Sequence, residues 1–214
     1  MSVAAQLEAP VRNAADFAAR TGATGAQIAD LEQLKTLLID WNGRMNLVSE
    51  ASLGDYWGRH VYDSAQLIQL APAARVWVDI GAGAGFPGLV LAILLKDAPG
   101  AKVHLVESQA KRCRFLEAAV AALSLPAEVH NARAEDLALR ADAVTARAVA
   151  PLVRLLGFAR PYVAKGATAL FLKSEGVDSE IAEARKSWRF TYDVSRSVSD
   201  SRGRIVKVEG LARV

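Results

Sequence analysis

Arg75-Val-Trp-Val-Asp-Ile-Gly-Ala-Gly-Ala-Gly-Phe-Pro-Gly88 reads as an apolar strand that runs into an acidic residue and then into alternating glycines. A strand that ends this way is the front of a nucleotide-cofactor site in an α/β sheet. Glycines at 81, 83 and 85 permit a tight turn and close approach, because a Cβ would obstruct both. Asp79 selects the ligand. A carboxylate at the strand's C-terminal mouth repels a pyrophosphate but accepts from an ammonium or hydroxyl, which favours S-adenosylmethionine over a dinucleotide.

The run Gly83-Ala-Gly-Phe-Pro-Gly88 also matches the dinucleotide fingerprint, which keeps a nicotinamide-dependent oxidoreductase as the competing reading. Two details weigh against it. Asp79-Ile-Gly81-Ala separates the strand from the match, and Pro87 removes an amide where a pyrophosphate needs one. A third reading is a ribosome-assembly or RNA-binding factor without enzymatic activity, which predicts no cofactor binding.

Working outward, apolar strands are expected near 75–80, 102–107, 128–132, 142–147 and 167–173, with helices near 87–96, 109–124, 135–139, 151–163 and 178–187. That alternation predicts a parallel sheet built from βαβ units. Phe190 to Ser197 and Arg204 to Glu209 are joined by too short a turn for a helical crossover, so they must pair antiparallel. The expected fold is therefore Rossmann-like α/β, of the class I S-adenosylmethionine-dependent methyltransferase kind. It has a mostly parallel seven-stranded sheet, an antiparallel C-terminal hairpin and N-terminal helices.

Upstream, Thr24-Gly-Ala-Gln27 has the form of a capping box. Ile28, Leu31, Leu34, Leu38 and Trp41 follow at helical spacing, predicting a helix over 25–41. A second helix is expected over 55–70, and the alanine-rich segment 1–23 reads as a peripheral helix. The expected division is a helical extension over 1–72 packed on a methyltransferase domain over 73–214.

The chain has 214 residues and a net charge of +3, with a pI near 9.1 that permits a polyanionic partner without requiring one. Its longest apolar run, Leu89 to Leu95, falls well short of the roughly 18 to 20 residues a membrane span needs. The N-terminus lacks a basic stretch followed by an apolar one, so a cytoplasmic protein is expected; a monomer is the expected oligomeric state. One cysteine and three scattered histidines leave no set at metal-ligand spacing, so neither a zinc nor an iron site is expected.

Glu107 ends the second expected strand, 26 residues after Gly81, where an acid accepts both ribose hydroxyls of an adenosine. Ala134-Glu135 follows the third strand, where a loop meets the adenine. Lys111, Arg112 and Arg114 open the next helix. Cations in a first turn oppose the helix dipole, so they read as phosphate contacts or as a solvated face. Arg147 and Lys173 end the fourth and fifth strands, and both are expected to point toward the cleft. Arg147 is expected to order the site, and Lys173, Arg202, Arg204 and Lys207 to hold a polyanionic partner, with a merely solvated hairpin as the other reading of the C-terminal three. His60 and Asp63 share a helix face and either close over the ligand or orient the helices. His104 and His130 read as structural, the four tryptophans as core, and Cys113 as a buried thiol rather than a nucleophile.

Taken together, Trp41-Asn-Gly-Arg-Met-Asn-Leu47, His60-Val-Tyr-Asp-Ser64, the glycine run from Asp79, Lys111-Arg-Cys-Arg-Phe-Leu116 and Thr145-Ala-Arg-Ala148 carry a resemblance. The chain is similar to the RsmG (glucose-inhibited division protein B) family of bacterial 16S ribosomal RNA guanine-N7 methyltransferases. The resemblance implies cofactor contacts at Gly81, Phe86, Ala134, Glu135 and Arg147, with Glu107 on the ribose. It also implies 16S rRNA or the small ribosomal subunit as partner. Phe171-Leu-Lys-Ser-Glu-Gly176 departs from the family pattern, which usually has glycine after the lysine.

Overall fold

The computed structural model describes residues 10–214. Five parallel strands form its centre: β1 (Val76–Ile80), β2 (Lys102–Glu107), β3 (Ala127–Asn131), β4 (Ala143–Arg147) and β5 (Thr168–Lys173). β6 (Trp188–Arg196) and β7 (Arg204–Arg213) form the antiparallel hairpin, and β7 also pairs antiparallel with β5. The sheet order is β3-β2-β1-β4-β5-β7-β6. The order in which strands are added reverses between β1 and β4, which opens a crevice at their carboxyl ends.

The crossovers are α5 (Gly88–Leu94), α6 (Ala110–Ala122), α7 (Leu152–Val163) and α8 (Val177–Ala184). Both faces of the central strands are covered, so β1 carries Trp77 into one core and Val78 and Ile80 into the other. The N-terminal helices are α1 (Ala14–Thr21), α2 (Gly25–Asn42), α3 (Glu50–Gly54) and α4 (Asp63–Leu70). Leu31, Leu34 and Leu38 join the same core as Trp77 and Leu89, so these helices and the sheet share one apolar interior. The capping box forms as expected: Thr24 Oγ1 accepts from Gln27 N–H and Gln27 Oε1 accepts from Thr24 N–H. The expected peripheral helix over 1–23 is realised as α1, and residues 1–9 lie outside the described part.

Two expected helices change. The single helix over 55–70 is instead a π-helix over Tyr56–Tyr62 running into α4, with the short α3 before it. The wider π turn buries Tyr56, Trp57, His60 and Val61, more bulky side chains than one α-helical stripe aims inward. The helix expected over 135–139 shrinks to one 3₁₀ turn, Ala134–Asp136, because Leu137 is extended and Leu137 and Leu139 lean onto the α7 core. Among the described residues no helix is long and apolar enough to cross a membrane.

Candidate active site

Two cavities meet at the crevice, and both are lined by Gly81, Arg112 and Ala148. One, about 630 Å³, is bounded by Glu107, Ala134, Glu135 and Val149. The other, about 530 Å³, is bounded by His60, Asp63, Phe86, Arg147 and Lys173. Their junction is strained, because Ala148 holds φ +56 in the left-handed region. Such a non-glycine residue costs about 1–3 kcal/mol and is typical of functional sites.

The glycine run turns as its sequence predicts, with φ of +68, +54 and +85 at Gly81, Gly83 and Gly85. What it packs against differs from the sequence reading. A Cβ on Gly81 would strike Val149, whereas one on Gly83 would meet only the Gly81 carbonyl oxygen at 3.6 Å. Gly83 therefore keeps the open side of the loop, and Gly81 serves the crossover from β4.

Most loop amides are already used. Gly81 and Ala82 N–H both donate to the Val106 carbonyl, Gly83 N–H donates to Glu107 Oε2 at 3.0 Å, and Gly85 N–H donates to the Ala82 carbonyl. Phosphate binding by such a loop needs free amides. These four have none to give, which argues against a dinucleotide more strongly than the spacing did.

Asp79 does not stand at the mouth. It is 0 % exposed, and its Oδ2 accepts from Gly88 N–H at 2.8 Å. The expected contact with a ligand ammonium is thus corrected: Asp79 anchors the start of α5 beneath the loop. Burial pushes its carboxyl up to about 7 against the opposing pull of the Gly88 amide and Arg147.

Glu107 is 4 % exposed and ties two segments to the cavity wall. Its Oε2 accepts from Gly83 N–H and its Oε1 from Gln109 N–H at 2.8 Å. A carboxylate has about four lone-pair sites, so two acceptor positions remain for vicinal hydroxyls. Ala134 and Glu135 line the same cavity, as expected.

In the second cavity His60 stacks on Phe86 at 4.5 Å, and the Arg147 guanidinium lies 5.3 Å from the Phe86 ring centre. Arg147 donates to the Arg59 carbonyl at 2.8 Å and approaches His60 Nδ1 at 2.7 Å. Arginine is only a donor, so Nδ1 accepts and the proton sits on Nε2. Burial first, then Arg147 and Arg59, push His60 down to about 3. Asp63 faces the same cavity. Its Oδ1 accepts from Ser197, Ser199 and Gln66, tying the β6–β7 turn to the helices.

This geometry carries a pH prediction. A histidine whose folded pKa lies below its unfolded value stabilises the fold above pH about 6.5 and loses that contribution as pH falls. Asp79 acts oppositely, gaining stability as pH drops from about 7, so only a comparison with His60→Gln isolates the histidine. Urea unfolding should show the native chain losing up to about 1.4 kcal/mol per pH unit relative to that variant below pH about 6.5. Parallel curves would refute the assignment.

The expected cation set divides. Arg112 lines both cavities, with Nη1 3.8 Å from Glu107 Oε2, while Lys111 and Arg114 are exposed on α6. Arg202 is exposed beside Asp200, and Arg204 donates to the Ser201 and Gly203 carbonyls. Lys173 lines the second cavity, but its side chain is 12 % exposed and its ammonium is held by Glu180 at 2.7 Å and the Ala150 carbonyl at 3.2 Å. Glu180 also accepts from Leu152 N–H, so this pair clamps the strained crossover instead of presenting a free charge. Lys207 is a correction as well: it pairs with Glu209 and lines a cavity with Arg140 and Lys165 at the amino-terminal ends of β4 and β5, the end of the sheet away from the crevice. Cys113 is a buried free thiol whose pKa burial and Glu107 raise, which fits an inert side chain.

Several participants were invisible beforehand. Arg59, Val149 and Glu180 carry no motif, and the strain at Ala148 was hinted at only by Thr145-Ala-Arg-Ala148. The histidine reading also needs correction. His104 and His130 are not scattered: their side chains meet across β2 and β3, with Glu128 beside them.

A sheet of this order with a joined crevice at the β1/β4 switch defines a class I S-adenosylmethionine-dependent methyltransferase. Solved structures agree on the fold. An O-methyltransferase from Bacillus cereus in complex with SAH superposes with TM-score 0.56 at 15% identity, covering 85% of this chain and 91% of that one. A putative O-methyltransferase from Klebsiella pneumoniae gives TM-score 0.56 at 10% identity, covering 85% and 90%. Within that class, residues 27–206 match the family model for rRNA small subunit methyltransferase G, and the chain belongs to that family. The ribosomal RNA small subunit methyltransferase G of Caulobacter vibrioides is 59% identical over 95% of this chain and 94% of its own length. That of a Bradyrhizobium strain is 46% identical over 86% and 84%.

Proposed function

We propose that this protein moves the methyl group of S-adenosylmethionine to N7 of a guanine in small-subunit 16S ribosomal RNA. The observation that carries the reading is the junction of the two cavities at Gly81 and Ala148, with Glu107 in one and the Phe86–His60–Arg147 stack in the other. The residues fit this cofactor: a buried carboxylate with free lone pairs suits ribose hydroxyls, the open Gly83 flank admits a ligand, and the consumed loop amides disfavour a diphosphate.

When bound, the cofactor supplies a methyl group already activated on a sulfonium. What this chain must add is placement, since holding the partners at about 3–3.5 Å in line supplies much of the rate. Guanine N7 has a free lone pair and no proton to lose, so no general base is required. The site agrees. His60 Nδ1 is occupied by Arg147, and Asp63 Oδ1 accepts three hydrogen bonds. Arg147 lines the second cavity with its guanidinium on the Arg59 carbonyl and His60 and 3.9 Å from Asp63 Oδ2, so its charge is partly balanced there and serves to order the site.

RNA phosphates would meet the cations at the rim, Arg112, Arg202 and Arg204. Replacing these three by alanine should weaken RNA binding and lower the log–log salt slope by about 2 to 3, whereas Lys207→Ala should leave it unchanged. Equal slopes for the triple variant and the native chain would remove these residues from the interface.

Labelled S-adenosylmethionine incubated with small subunits from cells lacking the modification tests the function directly. Label on N7 of one 16S guanine supports it. Label on another nucleotide, on protein or on a small molecule overturns it. Absence of any cofactor binding by calorimetry would favour a non-enzymatic RNA-binding role.

A further inference from the structure

We propose that His104, Glu128 and His130 form a binding site for a single zinc-class divalent ion, outside the methyl-transfer crevice. The register of β2 and β3 sets His104 opposite Glu128 and Val106 opposite His130. Side chains two residues apart share a sheet face, so all three project on the same side. The ligand atoms lie within 4.8 Å of one another. His104 Nδ1 is 2.9 Å from His130 Nε2, and each is 3.9 Å from a Glu128 oxygen. Three ligands at about 2.0–2.1 Å from a tetrahedral ion stand about 3.3–3.4 Å apart. The observed separations bracket that value, so shifts of about half an ångström close the set.

The donor chemistry selects the ion. Two imidazoles and one carboxylate suit zinc, nickel or copper, whereas magnesium and calcium prefer all-oxygen shells. Such a three-residue set keeps a fourth position for water. At 2.9 Å one imidazole donates its ring N–H to the other, and for the ion to take both nitrogens the donating ring moves that proton to its other nitrogen, so both rings bind as neutral imidazoles. His104 is 10 % exposed and held in place, whereas Glu128 is 50 % exposed and has room to reorient. One competitor is already present: Lys102 Nζ lies 2.6 Å from Glu128 Oε2 and must yield the carboxylate. Because β3 is the outermost strand, the ion would fasten it to β2, the strand that ends in Glu107.

The test uses tag-free full-length protein freed of metal by chelation. Zinc titrated by calorimetry should bind one ion per chain and raise the melting temperature, and cobalt in its place should give the intense visible bands of a tetrahedral site. His130→Ala and Glu128→Gln should each weaken binding about tenfold or more, and Lys102→Ala should strengthen it. Circular dichroism confirms that the variants fold. If His130→Ala does not, the exposed Glu128 and Lys102 variants still give opposite shifts. Absent one-to-one binding, or an affinity that ignores Glu128→Gln and Lys102→Ala, overturns the site. Methyl transfer plays no part in this readout, so its failure and that of the proposed function are distinguishable.

Discussion

Replacing Gly88 by alanine is expected to destabilise the fold strongly, because of the loop glycines it is the one whose Cβ would strike the buried Asp79. The new Cβ would stand 2.6 Å from Asp79 Oδ2 and 3.0 Å from Asp79 Cβ, with the Leu105 side chain also in its way. Leu105 is flexible at its tip, but Asp79 is not free to retreat. It is fully buried on β1 and accepts from Gly88 N–H, the bond that pins the start of α5. Overpacking of a tight core costs about 1–3 kcal/mol, and disturbing a hydrogen bond to a charged group adds about 1.5–3 kcal/mol. A loss of about 3–5 kcal/mol is a large share of the roughly 5–15 kcal/mol that holds a domain folded. Urea unfolding measures it, with Gly54→Ala as control, since a Cβ there meets nothing within 4 Å and φ is ordinary. A loss below about 1 kcal/mol would mean that the Asp79 seat is softer than its burial implies.

Glu107→Gln should weaken S-adenosylmethionine binding by about two orders of magnitude. Both carboxylate oxygens already accept main-chain N–H groups, from Gly83 and Gln109. An amide replaces one acceptor with a donor, so one of those contacts turns repulsive and the loop moves. The ribose hydroxyls would lose charge-assisted bonds at the same time, each worth about 1.5–3 kcal/mol. Calorimetry reads the affinity, and Glu135→Gln, an exposed acid on the same cavity, should change it little. An affinity within about threefold of the native value would dismiss Glu107 as the ribose acceptor.

These two residues illustrate what was readable in advance. The positions of Asp79 and Glu107 at strand ends followed from the apolar runs before them, and the left-handed angles at Gly81, Gly83 and Gly85 followed from residue type. The antiparallel hairpin followed from a connection too short to cross over. The direction in which Asp79 looks did not, because a strand-end carboxylate satisfies the same pattern whether it faces a ligand or the amide of Gly88. The π-helix was hidden too, since a run of bulky residues without clear periodicity fits several helical windings.

Charged side chains show the same division. Lys173 and Lys207 looked alike as basic residues of neighbouring strands, yet one is held by Glu180 and the other lines a cavity at the amino-terminal ends of the central strands. His104 and His130 looked isolated, yet parallel pairing makes them neighbours. By itself the sequence determined the strand–helix alternation, the turn at the glycine run and the family, since these rest on backbone sterics and short-range periodicity. Only the tertiary structure decided which carboxylate is an anchor, which lysine is neutralised and which histidines meet. Those outcomes depend on distances between residues far apart in the chain, and these exist only once the sheet has assembled.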